Sequence, residues 1–452
     1  MESAGRMFAY PMWYKKAKHK ERSMKYKQLM GAILSKQNMM QAYRRLKRNG
    51  GGAGIDGMEV KALPDHLREH WQRISAELLE GRYHPTAVRG VEIPKASGGK
   101  RLLGIPTVMD RLIQQAIHQV LSVIWEPDFS PFSYGFRPGR SAKQALDQAT
   151  EYINEGYQDI IDLDLKSFFD RVNHDKLMGL LRKKIEDKAL LRLIRRYLQS
   201  GIMLGGMVHA REEGTPQGGP LSPLLSNILL NEFDGELMKR GLRFVRYADD
   251  CSIFLRSKRA AERVKASITR YLEVKLHLEV NEQKTKICRP VQFGLLGHTF
   301  TSTYKKGEKG KYRLSIAPKS WESLKRKIKS LTRKTDPIPF EWRIHRLNSL
   351  MFGWVNYFKY ATGYEKFDRL DGWVRNRLRY CIWKSWKRPW RRYRAYRQLG
   401  VNHAWAMKYA FSRKGGWRLS CSPVMGMTVT EERLKQRGYI SFKSYYHQAR
   451  QK

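Results

Sequence analysis

The sequence predicts an α+β protein with an enzyme-like core, and three observations support this. The chain has 452 residues, enough for two or three domains, and 41% of them are hydrophobic, enough to form apolar cores. The first 300 residues alternate helical and strand patterns without internal repeats. Glycine-rich stretches at residues 49–54 and 97–99 indicate loops between these patterns. We therefore expect a folded enzyme core and not a disordered basic tail.

Two of the predicted strand regions carry acidic residues. Residues 158–165 are rich in Ile and Leu with alternating acids, which predicts a strand, and residues 242–255 predict two short strands around Ala248, Asp249 and Asp250. Acids on a tight hairpin beside an acid-bearing strand would form a metal site. Each segment alone is more often ordinary turn chemistry or a solvated strand end.

The net charge points to a polyanionic partner. The chain has 87 Lys and Arg against 42 Asp and Glu, a formal charge of +45. A compact protein tolerates such a surplus poorly unless a polyanion lies against it, and nucleic acid is the obvious one. The longest apolar runs fall far short of the roughly 20 residues that a membrane-spanning helix needs. We expect a nucleic-acid partner and no membrane.

The compartment is predicted to be the cytoplasm. Residues 1–28 are basic and aromatic but lack the apolar stretch and cleavage site of a secretory signal. The four cysteines, at positions 251, 288, 381 and 421, form no Cys-x-x-Cys pair, so neither a zinc ribbon nor a disulfide framework is expected.

The C-terminal third is the most basic part of the chain. Residues 301–452 contain 37 basic and 9 acidic residues and nine of the twelve tryptophans. In residues 383–394, tryptophans alternate with cations, which suits stacking on unpaired bases beside phosphate contacts. The same pattern fits an amphipathic helix with tryptophans facing a core, and both interpretations can hold together. Lys, Gly and Pro enrichment predicts a domain change near residues 303–340.

Asp249, Asp250 and Asp164 are the candidate metal ligands. Nucleotide addition to a strand is a displacement at phosphorus, assisted by two metal ions about 3.5 to 4 Å apart. Magnesium prefers hard oxygen ligands and takes one or two carboxylates together with water and substrate phosphates. Asp162 lies on the same strand face as Asp164, so the pattern alone does not choose between them.

Further motif blocks accompany these acids in a fixed order. They lie at residues 95–105, 133–141, 214–223, 281–286 and 294–297. In this order and spacing they resemble the successive motif blocks of reverse transcriptases. Residues 49–57, together with the Gly139-Arg140-Ser141 ending of the second block, resemble the group II intron branch. A chance match of all blocks in order is negligible. The resemblance spans about residues 40 to 425.

The resemblance implies a right-hand polymerase: fingers, a palm with an antiparallel sheet and a helical thumb, followed by a basic helical RNA-binding domain. It implies these divisions: a basic N-terminal extension (1–40), fingers and palm (41–303), thumb and maturase helices (304–395), and a basic DNA- and RNA-binding tail (396–452). Helical periodicity in residues 347–360 fits the thumb.

The resemblance also assigns catalytic roles by position. Asp164 matches the first catalytic acid, five residues before an aromatic, and Asp249 and Asp250 match the paired acids of the hairpin. They would bind two Mg²⁺ ions, which Mn²⁺ could replace. Lys284 matches the lysine proposed to protonate the departing pyrophosphate, and Lys286 is an alternative.

Four residues match positions that hold the incoming nucleotide. Lys95 and Arg101 match the cations on its triphosphate, where a guanidinium can bind bidentately. Phe169 matches the aromatic under the sugar, where a ring would clash with a 2′-hydroxyl. Gln217 matches the glutamine that contacts the nucleotide. Solvated surface charges and a core aromatic are the ordinary alternatives.

The predicted function is an RNA-directed DNA polymerase that also binds intron RNA as a splicing maturase and supports intron mobility. The expected partners are group II intron RNA, an RNA template with a DNA primer, dNTPs and target DNA, near the bacterial nucleoid. The predicted nucleic-acid contacts are Arg137, Arg140, Lys384, Lys387, Arg388, Arg391 and Arg392.

Cysteine and histidine pairs are missing after residue 393, so the resemblance is to the endonuclease-lacking branch of the family. Two alternatives remain: a domesticated reverse transcriptase in repair or phage defence, and an RNA-binding splicing factor without polymerase activity.

Overall fold

A computed structural model describes residues 26–94, 99–210, 212–216, 218–303, 310–363 and 365–451. The chain divides into two compact units, the first ending at Arg289 and the second beginning at Pro290. This division lies before residues 303–340, where the sequence predicts a change of domain. No helix in the described ranges is both long and apolar enough to span a membrane.

The first unit contains helices and strands in alternation, as predicted. Its helices are α1 (Leu29–Leu34), α2 (Lys36–Asn49), α3 (Leu63–Leu79), α4 (Val108–Trp125), α5 (Ala142–Asn154), α6 (His174–Arg182), α7 (Lys188–Gln199), α8 (Ser222–Lys239) and α9 (Lys258–Leu276). Its strands are β1 (Val88–Pro94), β2 (Lys100–Ile105), β3 (Asp159–Leu163), β4 (Ile202–Leu204), β5 (Met207–His209), β6 (Arg243–Tyr247), β7 (Asp250–Leu255) and β8 (Lys286–Cys288).

These strands form two four-stranded sheets. The first has the order β2-β1-β4-β5, with β1 antiparallel to β2 and parallel to β4. The second has the order β6-β7-β3-β8 and is antiparallel throughout. The strands predicted in residues 158–165 and 242–255 are therefore confirmed as β3, β6 and β7, neighbours in one sheet.

Helix α4 lies in the core of the first unit. Thr107 caps its N-terminus by accepting a hydrogen bond from the Asp110 N–H, and the helix buries residues on all sides, polar ones included. The Asp110 carboxylate accepts hydrogen bonds from the hydroxyls of Tyr83 and Tyr197 and from Thr107 Oγ1. A buried carboxylate needs such donors, because burial without them is costly.

Strand β3 is buried on both faces, which explains its apolar sequence. Ile160 and Ile161 are fully buried, and β3 pairs with β7 on one side and β8 on the other. Helix α9 packs on these same three strands. The pairing places Asp162 opposite Ser252 of β7 and Lys286 of β8.

The second unit is mainly helical. Its strands, β9 (Gly294–Leu295), β10 (His298–Ser302) and β11 (Tyr312–Ile316), form a sheet in the order β11-β10-β9. Its helices are α10 (Pro318–Leu331), α11 (Phe340–Phe358), α12 (Glu365–Ser385), α13 (Pro389–Gln398), α14 (His403–Ala410), α15 (Gly416–Ser420), α16 (Pro423–Thr428), α17 (Glu431–Gln436) and α18 (Phe442–Gln451). Helix α11 covers most of the predicted helix at residues 347–360.

Aromatic side chains form the centre of the second unit. The Trp321 ring lies 4.9 Å from that of Trp354 and 5.3 Å from that of Phe367, which in turn lies 5.0 Å from Tyr446. Rings at such separations contribute beyond their buried area. The rings connect α10, α11, α12 and α18, so the last helix is part of this core.

Candidate active site

The paired acids lie on a two-residue hairpin between β6 and β7. Tyr247 pairs with Asp250, which leaves Ala248 and Asp249 as the loop residues. Ala248 has φ of 60°, the positive value that such tight hairpins require at a central position. The loop packs closely against the segment at Gly135, where an added Cβ would lie 2.3 Å from the Ala248 nitrogen. Only glycine fits this contact.

A buried arginine stabilises this hairpin through hydrogen bonds. Arg246 is fully buried, and its Nε and Nη2 donate to the Asp234 carboxylate at 2.7 and 2.6 Å. Its Nη1 donates to the Ala248 carbonyl at 2.8 Å and to Asn227 Oδ1 at 2.9 Å. The Asn227 amide then donates to the Gly135 carbonyl at 2.9 Å. The network fixes both the acidic hairpin and the loop packed against it.

Asp164 follows β3 directly and lies beside this hairpin. Leu163, the last residue of β3, pairs with Cys251, so the residue that follows the strand lies next to Asp250. The backbone N–H of Asp164 donates to Thr285 Oγ1 at 3.2 Å, and its carbonyl accepts from the Asn281 N–H at 2.9 Å. The turn before β8 therefore positions the aspartate.

This geometry separates the two lysine alternatives, whereas Asp162 and Asp164 both act on the charge of Asp250. Lys284 Nζ lies 3.4 Å from Asp164 Oδ2, whereas Lys286 lies opposite Asp162 in the sheet. The pKa of Asp162 is raised first by burial, with Lys286 lowering it and Asp164 raising it. Lys284 is thus the lysine on the side of the hairpin acids.

The acids repel one another electrostatically. Part of Asp250 is exposed. The protein packed around its carboxyl nevertheless raises its pKa to about 6, first by desolvation and then through the negative charges of Asp249, Asp162 and Asp164. Lys284 acts in the opposite direction. A carboxyl cluster that resists full ionisation favours bound cations, because a nearby positive charge stabilises the charged form.

The donor set fits magnesium without forming a complete protein cage. Among the described residues, no three His, Cys, Asp or Glu side chains are grouped closely enough to hold a metal by themselves. Mg²⁺ commonly keeps waters and takes its remaining ligands from substrate phosphates. Asp164, Asp249 and Asp250 carry carboxylate oxygens, the type of hard donor that such a partial site would need.

A cavity of about 550 Å³ in the first unit contains two of the predicted nucleotide-binding residues, Arg101 and Phe169. Gly218 and Gly219 form another part of its wall. A Cβ at Gly218 would lie 2.5 Å from the Gly104 carbonyl oxygen, so glycine permits this close approach to β2. Lys95 and Gln217 lie outside the described residues.

Three further residues on this cavity were not predicted as site residues. Phe136 has φ of 56° and is 56% exposed, a strained conformation for a bulky residue. His118 is a neutral cavity residue, because burial and then Arg45 lower its pKa to about 4. Arg111 also lines the cavity. Phe136 stands inside a motif block, so the sequence carried a signal for it; His118 and Arg111 lie within a helical pattern that carries none.

Arg137 departs from its predicted role as a nucleic-acid contact. Its side chain is 3% exposed and pairs with Glu126, and its Nη1 donates to the carbonyls of Ser130 and Ser133. The guanidinium therefore holds the loop before α5 and is not available to phosphate. Arg140 is half-exposed, with its guanidinium 5.7 Å from the Tyr134 ring centre.

The basic residues of the C-terminal third include four exposed side chains: Lys384, Lys387, Arg388 and Arg391. Arg392 is half-buried; its guanidinium lies 3.8 Å from the centre of the Trp383 ring, and Nη2 donates to the Lys387 carbonyl. Trp383 is buried whereas Trp390 is 58% exposed. Tryptophans of this segment thus serve both as core residues and as exposed rings.

Comparisons with known proteins agree with this arrangement. Residues 93–300 match the family model "Reverse transcriptase (RNA-dependent DNA polymerase)", and residues 321–400 match "Group II intron, maturase-specific domain". A chain of a solved structure titled "Partial Cas6-RT-Cas1--Cas2 complex" covers 55% of this chain at 23% identity and a TM-score of 0.35. That likeness is too weak to carry an argument.

Two curated relatives are each similar to about half of this chain. The chain is 36% identical over 284 residues to "Protein YkfC" of Escherichia coli (strain K12), covering 54% of this chain and 74% of that protein. It is 38% identical over 206 residues to "Group II intron-encoded protein LtrA" of Lactococcus lactis subsp. cremoris, covering 45% of this chain but only 34% of LtrA. With both family models matched in order, the chain belongs to the family of group II intron-encoded reverse transcriptases and maturases.

Proposed function

We propose that this protein is an RNA-directed DNA polymerase that also binds intron RNA as a splicing maturase and supports intron mobility. The observation that carries the proposal is the convergence of Asp164 and the Asp249-Asp250 hairpin on one antiparallel sheet. Arg101 and Phe169, in one cavity of the same unit, support it further. The match to a reverse transcriptase model is consistent with this chemistry.

We interpret the fold as a right hand. The sheet β6-β7-β3-β8 would be the palm, and the sheet β2-β1-β4-β5, with its neighbouring helices, the fingers. Residues 304–395 would form the thumb and maturase helices, residues 396–452 a DNA- and RNA-binding tail, and residues 1–40 a basic extension. The maturase-specific match at residues 321–400 supports this use of the second unit.

In this mechanism Asp164, Asp249 and Asp250 hold two Mg²⁺ ions, for which Mn²⁺ can substitute. When bound there, the metals would supply positive charge to the attacking and leaving oxygens. Lys284 Nζ lies 3.4 Å from Oδ2 of Asp164, one of the acids that would hold the metals. In the proposed role it gives a proton to the departing pyrophosphate.

The cavity side chains orient the incoming nucleotide. Arg101 would bind the triphosphate through charge-assisted hydrogen bonds, and Phe169 would lie under the sugar and exclude a 2′-hydroxyl. We assign Lys95 to the triphosphate and Gln217 to the nucleotide on the motif match alone. Substrates are then dNTPs on an RNA template with a DNA primer.

The second unit would bind the intron RNA and, during mobility, target DNA. Its exposed cations Lys384, Lys387, Arg388 and Arg391 supply the phosphate contacts, and half-exposed Arg140 of the first unit another. Such contacts read shape and charge more than sequence.

A primer-extension assay tests the polymerase. The purified protein is mixed with a poly(rA) template, oligo(dT) primer, dTTP and Mg²⁺, beside an Asp249→Ala, Asp250→Ala double variant. Asp65→Ala, at an exposed aspartate of α3, serves as control. We expect extension by the wild type and the control and none by the double variant. No extension by the wild type, with RNA binding intact, would overturn the proposal and favour a splicing factor without polymerase activity.

A further inference from the structure

A second cavity, of about 320 Å³, lies in the C-terminal part of the second unit. It is formed by the loop after α13, by α14 and by α16. Its lining residues are Leu399, Gly400, Val401, Asn402, Trp405, Val424, Met427 and Thr428. Val424 and Thr428 are buried, whereas Trp405 is 45% and Met427 63% exposed. Two large apolar side chains thus remain open to solvent on a concave site, the kind of surface on which ligands bind.

Arginine side chains hold the backbone around this cavity. Arg433 Nη1 donates to the carbonyls of Thr428 and Leu399, one in α16 and the other in the loop after α13. Arg397 Nη1 donates to the Val401 carbonyl at 2.9 Å. The loop and the helix are therefore connected by hydrogen bonds before any ligand arrives. A preformed cavity spares a ligand the cost of ordering it.

The cavity also presents a few polar groups. Asn402 lines the cavity; its Oδ1 accepts a hydrogen bond from the Trp405 N–H, and its amide nitrogen carries two N–H donors. Gly400 is exposed, with φ of 90°, and a Cβ added there would meet no atom within 4 Å, so the backbone is open at this point. An apolar wall with few polar groups is typical of sites for flat, partly polar ligands.

The charge around the cavity selects the ligand class. Residues 372–430, which include all the lining residues, contain fourteen Lys and Arg and no Asp or Glu. Among them the following side chains are exposed: Arg394, Lys408, Arg413, Lys414 and Arg418. Glu431 and Glu432 follow this segment, and Glu431 pairs with Arg375 and Lys435. A single-stranded nucleic acid complements both the positive charge and the exposed tryptophan, because its phosphates are anionic and its bases are flat rings that stack on tryptophan. An acidic peptide would satisfy the charge but would supply few such rings.

We propose that this cavity binds one unpaired base of a single-stranded nucleic acid, stacked on Trp405 and in contact with Met427. The neighbouring cations would hold the adjoining phosphates. The inference rests on the nucleic-acid partners of the proposed function and adds to them a contact with a base.

Matched oligonucleotides test the proposal with the full-length protein. Fluorescence anisotropy gives the Kd for oligo(dT), for oligo(rU) and for a strand of equal length without bases. Trp405→Ala is compared with Trp342→Ala, because Trp342 is similarly exposed, at 42%, but lies on α11 outside the cavity. Primer extension on poly(rA) and oligo(dT) is measured for the wild type and each variant, as an independent check that the protein is folded.

In the wild type, we expect strands with bases to bind about tenfold more tightly than the baseless strand. Trp405→Ala should lower this ratio several-fold without weakening the baseless strand, and Trp342→Ala should leave it unchanged. A loss confined to oligo(dT) or oligo(rU) would identify DNA or RNA as the source of the base. The proposal would be overturned if Trp405→Ala kept the wild-type ratio of affinities for strands with and without bases. It would also be overturned if this variant lost affinity equally for all three strands. Absence of extension by every protein would instead count against the polymerase, because the binding ratios do not depend on it.

Discussion

In the proposed nucleotide site, Phe169 and Arg101 would contribute to substrate recognition in two different ways. Both line one cavity, but a ring can act on the sugar whereas a guanidinium acts on the triphosphate. The sugar distinguishes dNTPs from rNTPs; the triphosphate is common to both. Substitutions at the two positions should therefore have different kinetic consequences.

Phe169→Ala should raise ribonucleotide use relative to deoxyribonucleotide use by about tenfold or more, because the clash with the 2′-hydroxyl is removed. The measurement is the ratio of kcat/KM for dTTP and UTP on poly(rA) and oligo(dT). Arg101→Ala should raise KM for both nucleotides and leave the ratio unchanged. An unaltered ratio in Phe169→Ala would assign Phe169 to the core alone.

Arg246 shows how a buried residue can control exposed acids. Arg246→Met would leave Asp234 buried without its partner, and we expect it to lower the free energy of unfolding by about 3 to 5 kcal/mol in urea. Arg246→Lys retains the charge but has no planar group to bridge Asp234, Asn227 and Ala248. Its primer extension should therefore need more Mg²⁺ for half-maximal rate. A wild-type Mg²⁺ requirement in Arg246→Lys would show that the arginine supports the fold without positioning the hairpin.

At the scale of elements, Asp110 connects separate parts of the first unit. Its carboxylate accepts from Tyr83 in the segment before β1, from Tyr197 of α7 and from the Thr86 N–H. Burial nevertheless raises the pKa of Asp110, in spite of these hydrogen bonds and that from Thr107. The folded state thus holds the Asp110 proton more tightly than the unfolded state does.

The raised pKa has a definite sign for stability. The stabilisation is present below the unfolded pKa of an aspartate, about 4, and is lost as the pH rises through the folded pKa. The wild type should therefore lose stability relative to Asp110→Asn as the pH is raised from about 4 to 7 in urea unfolding. Asp175, whose pKa is lowered by Arg195, gives the opposite trend, because its contribution is lost as the pH falls. A pH-independent difference for Asp110→Asn would contradict the raised pKa.

At the scale of the whole molecule, the charge distribution governs binding to nucleic acid. The last 152 residues have a net charge of +28, from 37 basic and 9 acidic residues, out of +45 for the chain. Each phosphate contact releases counterions. The logarithm of the affinity therefore falls linearly with the logarithm of the salt concentration, with a slope proportional to the number of contacts. We therefore expect the excess positive charge of the C-terminal third to account for most of the salt dependence of nucleic-acid binding.

Replacing four exposed cations with Gln tests this distribution. Substitution of Lys384, Lys387, Arg388 and Arg391 should reduce the slope of log affinity against log salt by about 3, if each contacts a phosphate. The matched control replaces four exposed lysines of the first unit with Gln: Lys61, Lys239, Lys258 and Lys275. Equal changes in slope for both variants would show that the charge acts without a defined contact surface.

Much of this protein follows from local sequence patterns. The strands around the acids, the hairpin at Asp249 and Asp250, and the order of motifs that reveals the family are all local. Strand periodicity and turn chemistry depend on neighbours within a few residues, and a succession of motifs needs no knowledge of contacts.

Contacts between distant residues were decided by the tertiary structure alone. Only the pairing of β3 with β7 and β8 brings Asp164 to Thr285, 121 residues away, and separates Lys284 from Lys286. Arg137 and Arg246 are both buried; Arg137 stabilises a loop, and Arg246 stabilises the hairpin. An arginine looks the same in sequence whether it meets phosphate or a buried carboxylate. Its role depends on what the fold places around it, because the cost of burying a charge makes a partner obligatory.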